Sequence, residues 1–334
     1  MRAFRDCATP QVTRGVRIFL SLKARLRRAR KRTARKGWRA LEVTARRRLG
    51  GGEVGGVVPG NVVWIFGFGR SGSTWLMRMM GSLRGYCLWD EPMIGELFGS
   101  FYDKAPRWRL RSPGFIMSES GRESWTHSIR NFVLQGALRR YPRITPERYL
   151  IIKEPFGSVG APLLVEALPE SRVVFLIRDP RDVLASFLDG ARRENWIRDV
   201  ADFDYDIEYV DAEQRPELFL ESTAKLLMKN MVGAKRAYEA HRGPKVLIRY
   251  EDLLADTLGT MERIYSTLEI PADQGELGGV IDEHSWEKIP EDKKGEGKFF
   301  RKAIPGSWRG ELTPEQVQIV ERITAPILEE FYSD

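Results

Sequence analysis

Eight consecutive residues, Gly67-Phe68-Gly69-Arg70-Ser71-Gly72-Ser73-Thr74, place three glycines, a guanidinium and three hydroxyls in one short stretch. The apolar run Asn61–Phe66 precedes it, and Ser73–Met80 continues with helical spacing. A strand, a glycine-rich turn and a helix bring backbone N–H groups to a helix N-terminus, where they cradle an anion. Three readings share this physics. The string fits the G-x-G-x-x-G of a dinucleotide turn, and Asp90, eighteen residues past Gly72, lies near the place of a ribose-binding acid. Gly67 and Gly72 also have the spacing of a nucleoside-triphosphate loop, but Ser73 stands where that loop needs its lysine. The third reading is a turn for a terminal phosphate-like group. Arg70, Ser71, Ser73 and Thr74 favour it, because the pyrophosphate of a dinucleotide is held mainly by backbone.

Other residues carry compatible chemistry. Arg178-Asp179-Pro180-Arg181-Asp182-Val183-Leu184-Ala185-Ser186 leaves the apolar run Arg172–Ile177 and enters a helical pattern. A guanidinium at the strand end and a helix-borne hydroxyl can together bind a phosphate. The alternative is that Arg178 pairs with Asp179 or Asp182 and Ser186 is helix surface. Near the C-terminus, Phe299-Phe300-Arg301-Lys302-Ala303-Ile304-Pro305-Gly306-Ser307-Trp308-Arg309 sets two cations before a tryptophan. Trp75, Trp286 and Tyr250 offer faces on which a base can stack.

These elements, in this order over about residues 61–330, resemble the family of sulfotransferases that use 3′-phosphoadenosine-5′-phosphosulfate (PAPS). The run Arg70-Ser71-Gly72-Ser73-Thr74-Trp75 resembles the family's 5′-phosphosulfate loop. Arg178 and Ser186 have the spacing of its 3′-phosphate ligands. The segment from Arg301 is similar to its R-K-G-x-x-G-x-W-K stretch, with Ala303 for the usual glycine and Arg309 for the usual lysine. The alanine is at odds with the family's backbone path, since glycine accepts φ > 0 and alanine does not. Tyr250 and the pair Trp75 and Trp286 resemble its nucleotide and adenine contacts. The resemblance implies in-line transfer of a sulfuryl group from PAPS to an acceptor hydroxyl of a carbohydrate, peptide or small alcohol. It requires no metal, and it leaves adenosine 3′,5′-bisphosphate (PAP). Arg70 and Lys153 are then the cations for the leaving oxygen. The run Lys153-Glu154-Pro155-Phe156 has proline where the small-phenol branch has its catalytic histidine. It resembles the tyrosylprotein branch, in which a glutamate after the first helix is the base. Glu91, in Trp89-Asp90-Glu91-Pro92, occupies that place, with Glu154 and His127 as alternatives.

The elements that must position these residues read as an α/β fold: a mainly parallel central sheet with helices on both faces, in a P-loop-like nucleotide-binding domain. Strands are expected at 61–66, 149–153, 172–177 and 245–250, and a helix at 217–241. The segments 93–145 and 189–215, expected to meet the acceptor, carry no legible motif.

Charge divides the chain. Residues 1–49 hold 17 of the 54 Lys and Arg but 2 of the 46 Asp and Glu, which leaves 37 basic against 44 acidic residues in the rest. A basic amphipathic helix is expected over 14–48 as a solvated arm or a contact for an anionic membrane surface. Five glycines among residues 50–56 mark a boundary, giving an arm and linker at 1–56 and a sulfotransferase-like domain at 57–334. An acidic body argues against nucleic acid as its main ligand. Two cysteines, three scattered histidines and no apolar run of membrane-spanning length exclude a disulfide framework and a histidine-rich metal site, and point to a cytoplasmic protein, peripheral at a membrane if the arm binds one. A nucleotide kinase-like enzyme, an oxidoreductase and a binding protein driven by the arm are the competing functions.

Overall fold

The computed structural model describes residues 56–193, 210–296, 298 and 300–333. The expected basic helix and nearly all of its linker lie outside the described residues, as does the middle of the 189–215 segment.

Five strands form one parallel sheet: β1 (Val62–Phe66), β2 (Tyr86–Asp90), β3 (Tyr149–Lys153), β4 (Arg172–Ile177) and β5 (Lys245–Arg249), in the spatial order β2-β3-β1-β4-β5. Strands β1 and β4 are apolar at almost every position because both faces are covered. Val62, Trp64, Phe66, Leu150, Ile152, Val173, Phe175 and Ile177 belong to one core, and Val63, Ile65, Ile151, Val174 and Leu176 to the other. Helices α1 (Ser73–Ser82), α7 (Tyr250–Ala255), α8 (Thr257–Thr267) and α9 (Gln274–Glu283) bury residues in the second core. Helices α2 (Ile94–Asp103), α3 (Arg122–Arg140), α4 (Ala161–Ala167), α5 (Pro180–Arg193), α6 (Pro216–Ala240) and α10 (Pro314–Phe331) contribute to the first. The expected α/β architecture is present.

One strand escaped the sequence reading. β2 is an edge strand with the sequence Tyr-Cys-Leu-Trp-Asp, buried at one end and exposed at the other. It lacks the continuous apolar run that marks the central strands. Its position matters, because Asp90 stands opposite Lys153 in the ladder and Glu91 follows at once.

The chain passes from β1 over β3 to β2, returns to β3, and then crosses to β4 on the other side of β1. Reversal of strand order at β1 opens a crevice at the carboxyl ends of the strands. The candidate residues follow those ends: the glycine-rich turn after β1, Glu91 after β2, Glu154 after β3, Arg178 after β4 and Tyr250 after β5. Among the described residues no helix is long and apolar enough to cross a membrane.

Candidate active site

The turn after β1 is built for close packing. A side chain on Gly67 would run into the Leu176 carbonyl, and its N–H donates to Ser158 Oγ at 3.0 Å. Gly72, at φ 87°, precedes the first residue of α1, and a Cβ there would meet the Tyr250 ring at 2.5 Å. Arg70 holds φ 65°, a left-handed conformation that costs a non-glycine residue about 1–2 kcal/mol. That conformation turns its guanidinium toward α5, where Nε donates to Ser186 Oγ at 3.0 Å. Its carbonyl accepts from Arg178 Nη1 at 3.0 Å. Burial, and then the like charges of Arg178 and Arg301, push the Arg70 guanidinium down to about 10, so it stays protonated at neutral pH. Three guanidinium groups repelling one another in a low-dielectric setting form a site that favours an anion.

Arg178 lies over the Tyr250 ring at 4.5 Å, and its Nε is buried with no partner among the described residues. Of the two alternative partners, Asp179 binds Arg181 instead, whereas Asp182 does pair with Arg178, at a long 4.0 Å. The buried Asp182 carboxylate accepts from the N–H groups of Gly306 (2.7 Å) and Trp308 (3.1 Å) and from Ser307 Oγ (3.4 Å). It thereby ties the 300–308 strap to α5. Sequence reasoning treated Asp182 only as a rival partner for Arg178; its position one helical turn past Arg178 was the available signal. Arg301 and Lys302 share Glu311, which is held below the usual carboxylate range although burial alone would raise it. Ala303 takes φ 52°, so the strap keeps the left-handed path that a glycine would follow without strain.

A cavity of about 310 Å³ lies among these groups. Arg70, Gly72, Ser73, Thr74, Trp75, Glu91, Arg178, Ser186, Tyr250, Trp286, Arg301 and Lys302 all line it. Trp75 donates through Nε1 to the His284 carbonyl at 2.9 Å, which ties α1 to the segment carrying Trp286. Phe300 and Ile304 also line the cavity, and the sequence does not single them out, since an apolar residue in a strap has no sequence signature. Two expected residues stand behind the wall. The Ser71 hydroxyl is buried and donates to the Phe68 carbonyl, so it braces the turn and does not face the cavity.

Lys153 is the other. Its side chain is 2% exposed, and Nζ donates to Thr74 Oγ1 at 2.7 Å and pairs with Asp90 Oδ1 and Glu91 Oε1, both at 2.8 Å. Its charge therefore reaches the cavity through Thr74 and Glu91. Of the candidate bases, Glu91 lines the cavity, whereas Glu154 and His127 do not. His127 is exposed on α3. Glu154 is fully buried, and its Oε1 accepts from the N–H of Ile94 at 2.8 Å, at the start of α2. Burial pushes the Glu154 carboxyl up to about 8, partly offset by the backbone N–H groups of Ile94 and Gly95.

The fold and the site together define a nucleotide-binding α/β protein whose anion turn, aromatic faces and basic strap meet at one crevice. The Sulfotransferase family model matches residues 63–274, and the chain belongs to that family. The amine sulfotransferase of Oryctolagus cuniculus is 24% identical over an alignment 184 residues long that covers 48% of this chain and 56% of that protein. The match thus spans little more than half the length of that relative. A mouse sulfotransferase solved in complex with PAP shares the fold, with a TM-score of 0.51 at 14% identity over 82% of this chain and 86% of that one. So does a sulfotransferase from Mycobacterium avium, with a TM-score of 0.50 at 15% identity over 82% and 77% of the two chains.

Two outcomes follow from this geometry. Replacing Ala303 by glycine relieves a left-handed alanine at the cost of added freedom in the unfolded chain. The variant is expected to gain up to about 1 kcal/mol in a denaturant melt. Glu154 supplies a pH dependence of opposite origin. Between its ordinary value near 4.5 and about 8, the folded protein holds a proton that the unfolded chain has released. Folding stability therefore falls as pH rises through that window and levels off above it. Glu154→Gln lacks the titration, so its Tm relative to the parent protein should climb between pH 5 and pH 8. A constant difference would refute the assignment.

Proposed function

We propose that the protein transfers a sulfuryl group from PAPS to an acceptor hydroxyl, with Glu91 as the base. One observation carries the reading: four separate stretches of chain, around residues 70–75, 178–186, 250 and 286–307, converge with Glu91 on a single cavity. The unpartnered Arg178 Nε and the mutually repelling Arg70, Arg178 and Arg301 suit a doubly phosphorylated nucleotide. Trp75, Trp286 and Tyr250 offer its base a place to stack. Bound PAPS supplies the electrophilic sulfur.

In the proposed chemistry a bond forms between the acceptor oxygen and sulfur as the bond from sulfur to the 5′-phosphate oxygen breaks. The acceptor's proton goes to the Glu91 carboxylate. Charge gained by the leaving phosphate is met by Arg70, by the N-terminus of α1 and, from behind Thr74, by Lys153. The Lys153 ammonium touches both Thr74 and Glu91, so one cation bears on both the leaving-group side and the base. The relative from Oryctolagus cuniculus is named for amine acceptors. A carboxylate base serves an amine as well as a hydroxyl, because either must lose a proton. Incubating PAPS with pools of glycans, peptides, alcohols and amines, followed by mass spectrometry for the sulfated product, identifies the acceptor.

The donor assignment is tested by thermal shift with PAP, ATP, NAD and duplex DNA. Stabilisation by PAP alone is expected. Arg178→Ala should raise the PAP dissociation constant by on the order of 10²-fold or more, as loss of a desolvated phosphate partner does. Equal stabilisation by ATP or NAD would return the chain to one of the competing classes.

Glu91→Gln keeps the shape and removes the base. With the acceptor from the screen, turnover should fall by about 10²–10⁴-fold while PAP affinity stays within about 2-fold. Normal turnover in this variant would remove Glu91 from the mechanism.

A further inference from the structure

β3 ends at Lys153 and Glu154 follows it, and these neighbours hold the same short turn from two sides. Toward the cavity, the Lys153 carbonyl accepts the Glu91 N–H at 3.0 Å while its ammonium binds the side chains of Asp90 and Glu91. Toward the interior, Glu154 Oε1 accepts the Ile94 N–H at 2.8 Å, and the Gly95 N–H also bears on that carboxyl. Between the two holds, Glu91 and Met93 both adopt left-handed conformations, at φ 44° and 59°. Two such residues in one turn relax unless the structure at both ends prevents it.

The Glu154 main chain is itself fixed to the anion turn. Its N–H donates to the Ile65 carbonyl at 3.0 Å. Its carbonyl accepts from Ser158 Oγ at 2.8 Å, and that hydroxyl accepts the Gly67 N–H at 3.0 Å. One residue thus joins the first glycine of the turn after β1 to the first residue of α2. The position of Gly157 is what admits the carboxyl, because a Cβ there would collide with Oε2. Oε2 is buried with no hydrogen-bond partner among the described residues, and the nearby carboxylates Glu91 and Glu96 add repulsion. An arrangement this costly is not needed to fill space, which an apolar side chain would do better.

We infer that Glu154 is a positioning residue, whose carboxyl oxygen pins the start of α2 and thereby fixes where Glu91 stands relative to the anion turn. The inference rests on Glu91 being the base. It differs from the reading in which Glu154 takes the acceptor's proton, because what Glu154 contributes is an acceptor for the α2 amides.

The test uses the full chain and two substitutions. Glu154→Gln retains the acceptor oxygen, whereas Glu154→Met removes it at similar volume. Hydrogen exchange of the amides in residues 91–96 should be unchanged in the glutamine variant and at least about 10-fold faster in the methionine variant. PAP-induced thermal shift should be the same in both. With the acceptor from the screen, kcat should stay within about 3-fold for Glu154→Gln and fall by roughly 10–100-fold for Glu154→Met, the scale of a misplaced catalytic group. In the Glu91→Gln background, Glu154→Met should add less than about 3-fold, because its effect passes through Glu91.

A glutamine variant as damaged as the methionine one would overturn the inference. So would an undiminished Glu154→Met effect in the Glu91→Gln background, or loss of PAP binding together with turnover. Full turnover by Glu91→Gln alone would remove the base assignment, and the exchange rates would then decide by themselves whether Glu154 holds the turn. If Glu154→Met does not fold, Gly157→Ala displaces the carboxyl without removing it. The same exchange increase and the same split between kcat and PAP affinity are expected there, and their absence counts against the inference.

Discussion

The buried Lys153 ammonium is the interaction on which the site depends. It lies at the end of a central strand and ties the helix after the anion turn, through Thr74, to the end of the edge strand, through Asp90 and Glu91. Two carboxylates around one ammonium satisfy a charge that could not otherwise be taken out of water. Without the ammonium, the carboxylates would face each other across a gap, and the turn bearing Glu91 would lose its front attachment. The parallel register makes the arrangement possible, since Asp90 and Ile65 both lie beside Lys153 at the carboxyl edge of the sheet.

The opposite wall is organised by an excess of positive charge. Arg70, Arg178 and Arg301 all line the cavity, and the nearby carboxylates are shared: Asp179 binds Arg181, Glu311 binds both Arg301 and Lys302, and Asp182 accepts mainly from the amides of the strap. Asp182 links the two functions of this wall. It leaves Arg178 to the ring of Tyr250 and at the same time closes the 300–308 strap over the crevice. The left-handed alanine in that strap holds a backbone path at an energetic cost.

Glu91 and Glu154 show how environment separates two carboxyls close together in space. Glu91 is partly exposed at the cavity and paired with a lysine, whereas Glu154 is sealed behind it and driven toward its neutral form. Sequence alone ranks them poorly, since each is followed by a proline. Their roles part only when burial and direction are known.

Much was legible in the residues themselves. Local chemistry specified the anion turn, the strand-end arginine with its helix serine, and the basic pair before Trp308, and the apolar runs specified the central strands, because these signals are carried by residues near one another in the chain. Tertiary structure decided what depends on distant residues meeting. It made Tyr86–Asp90 a strand by pairing it to β3, where its own composition is ambiguous. It turned the Ser71 hydroxyl inward, set Lys153 behind the wall, and placed Glu154 under α2 and His127 in solvent. The direction of a side chain at the end of a strand is settled by what packs around that end, and that information is spread over the whole fold.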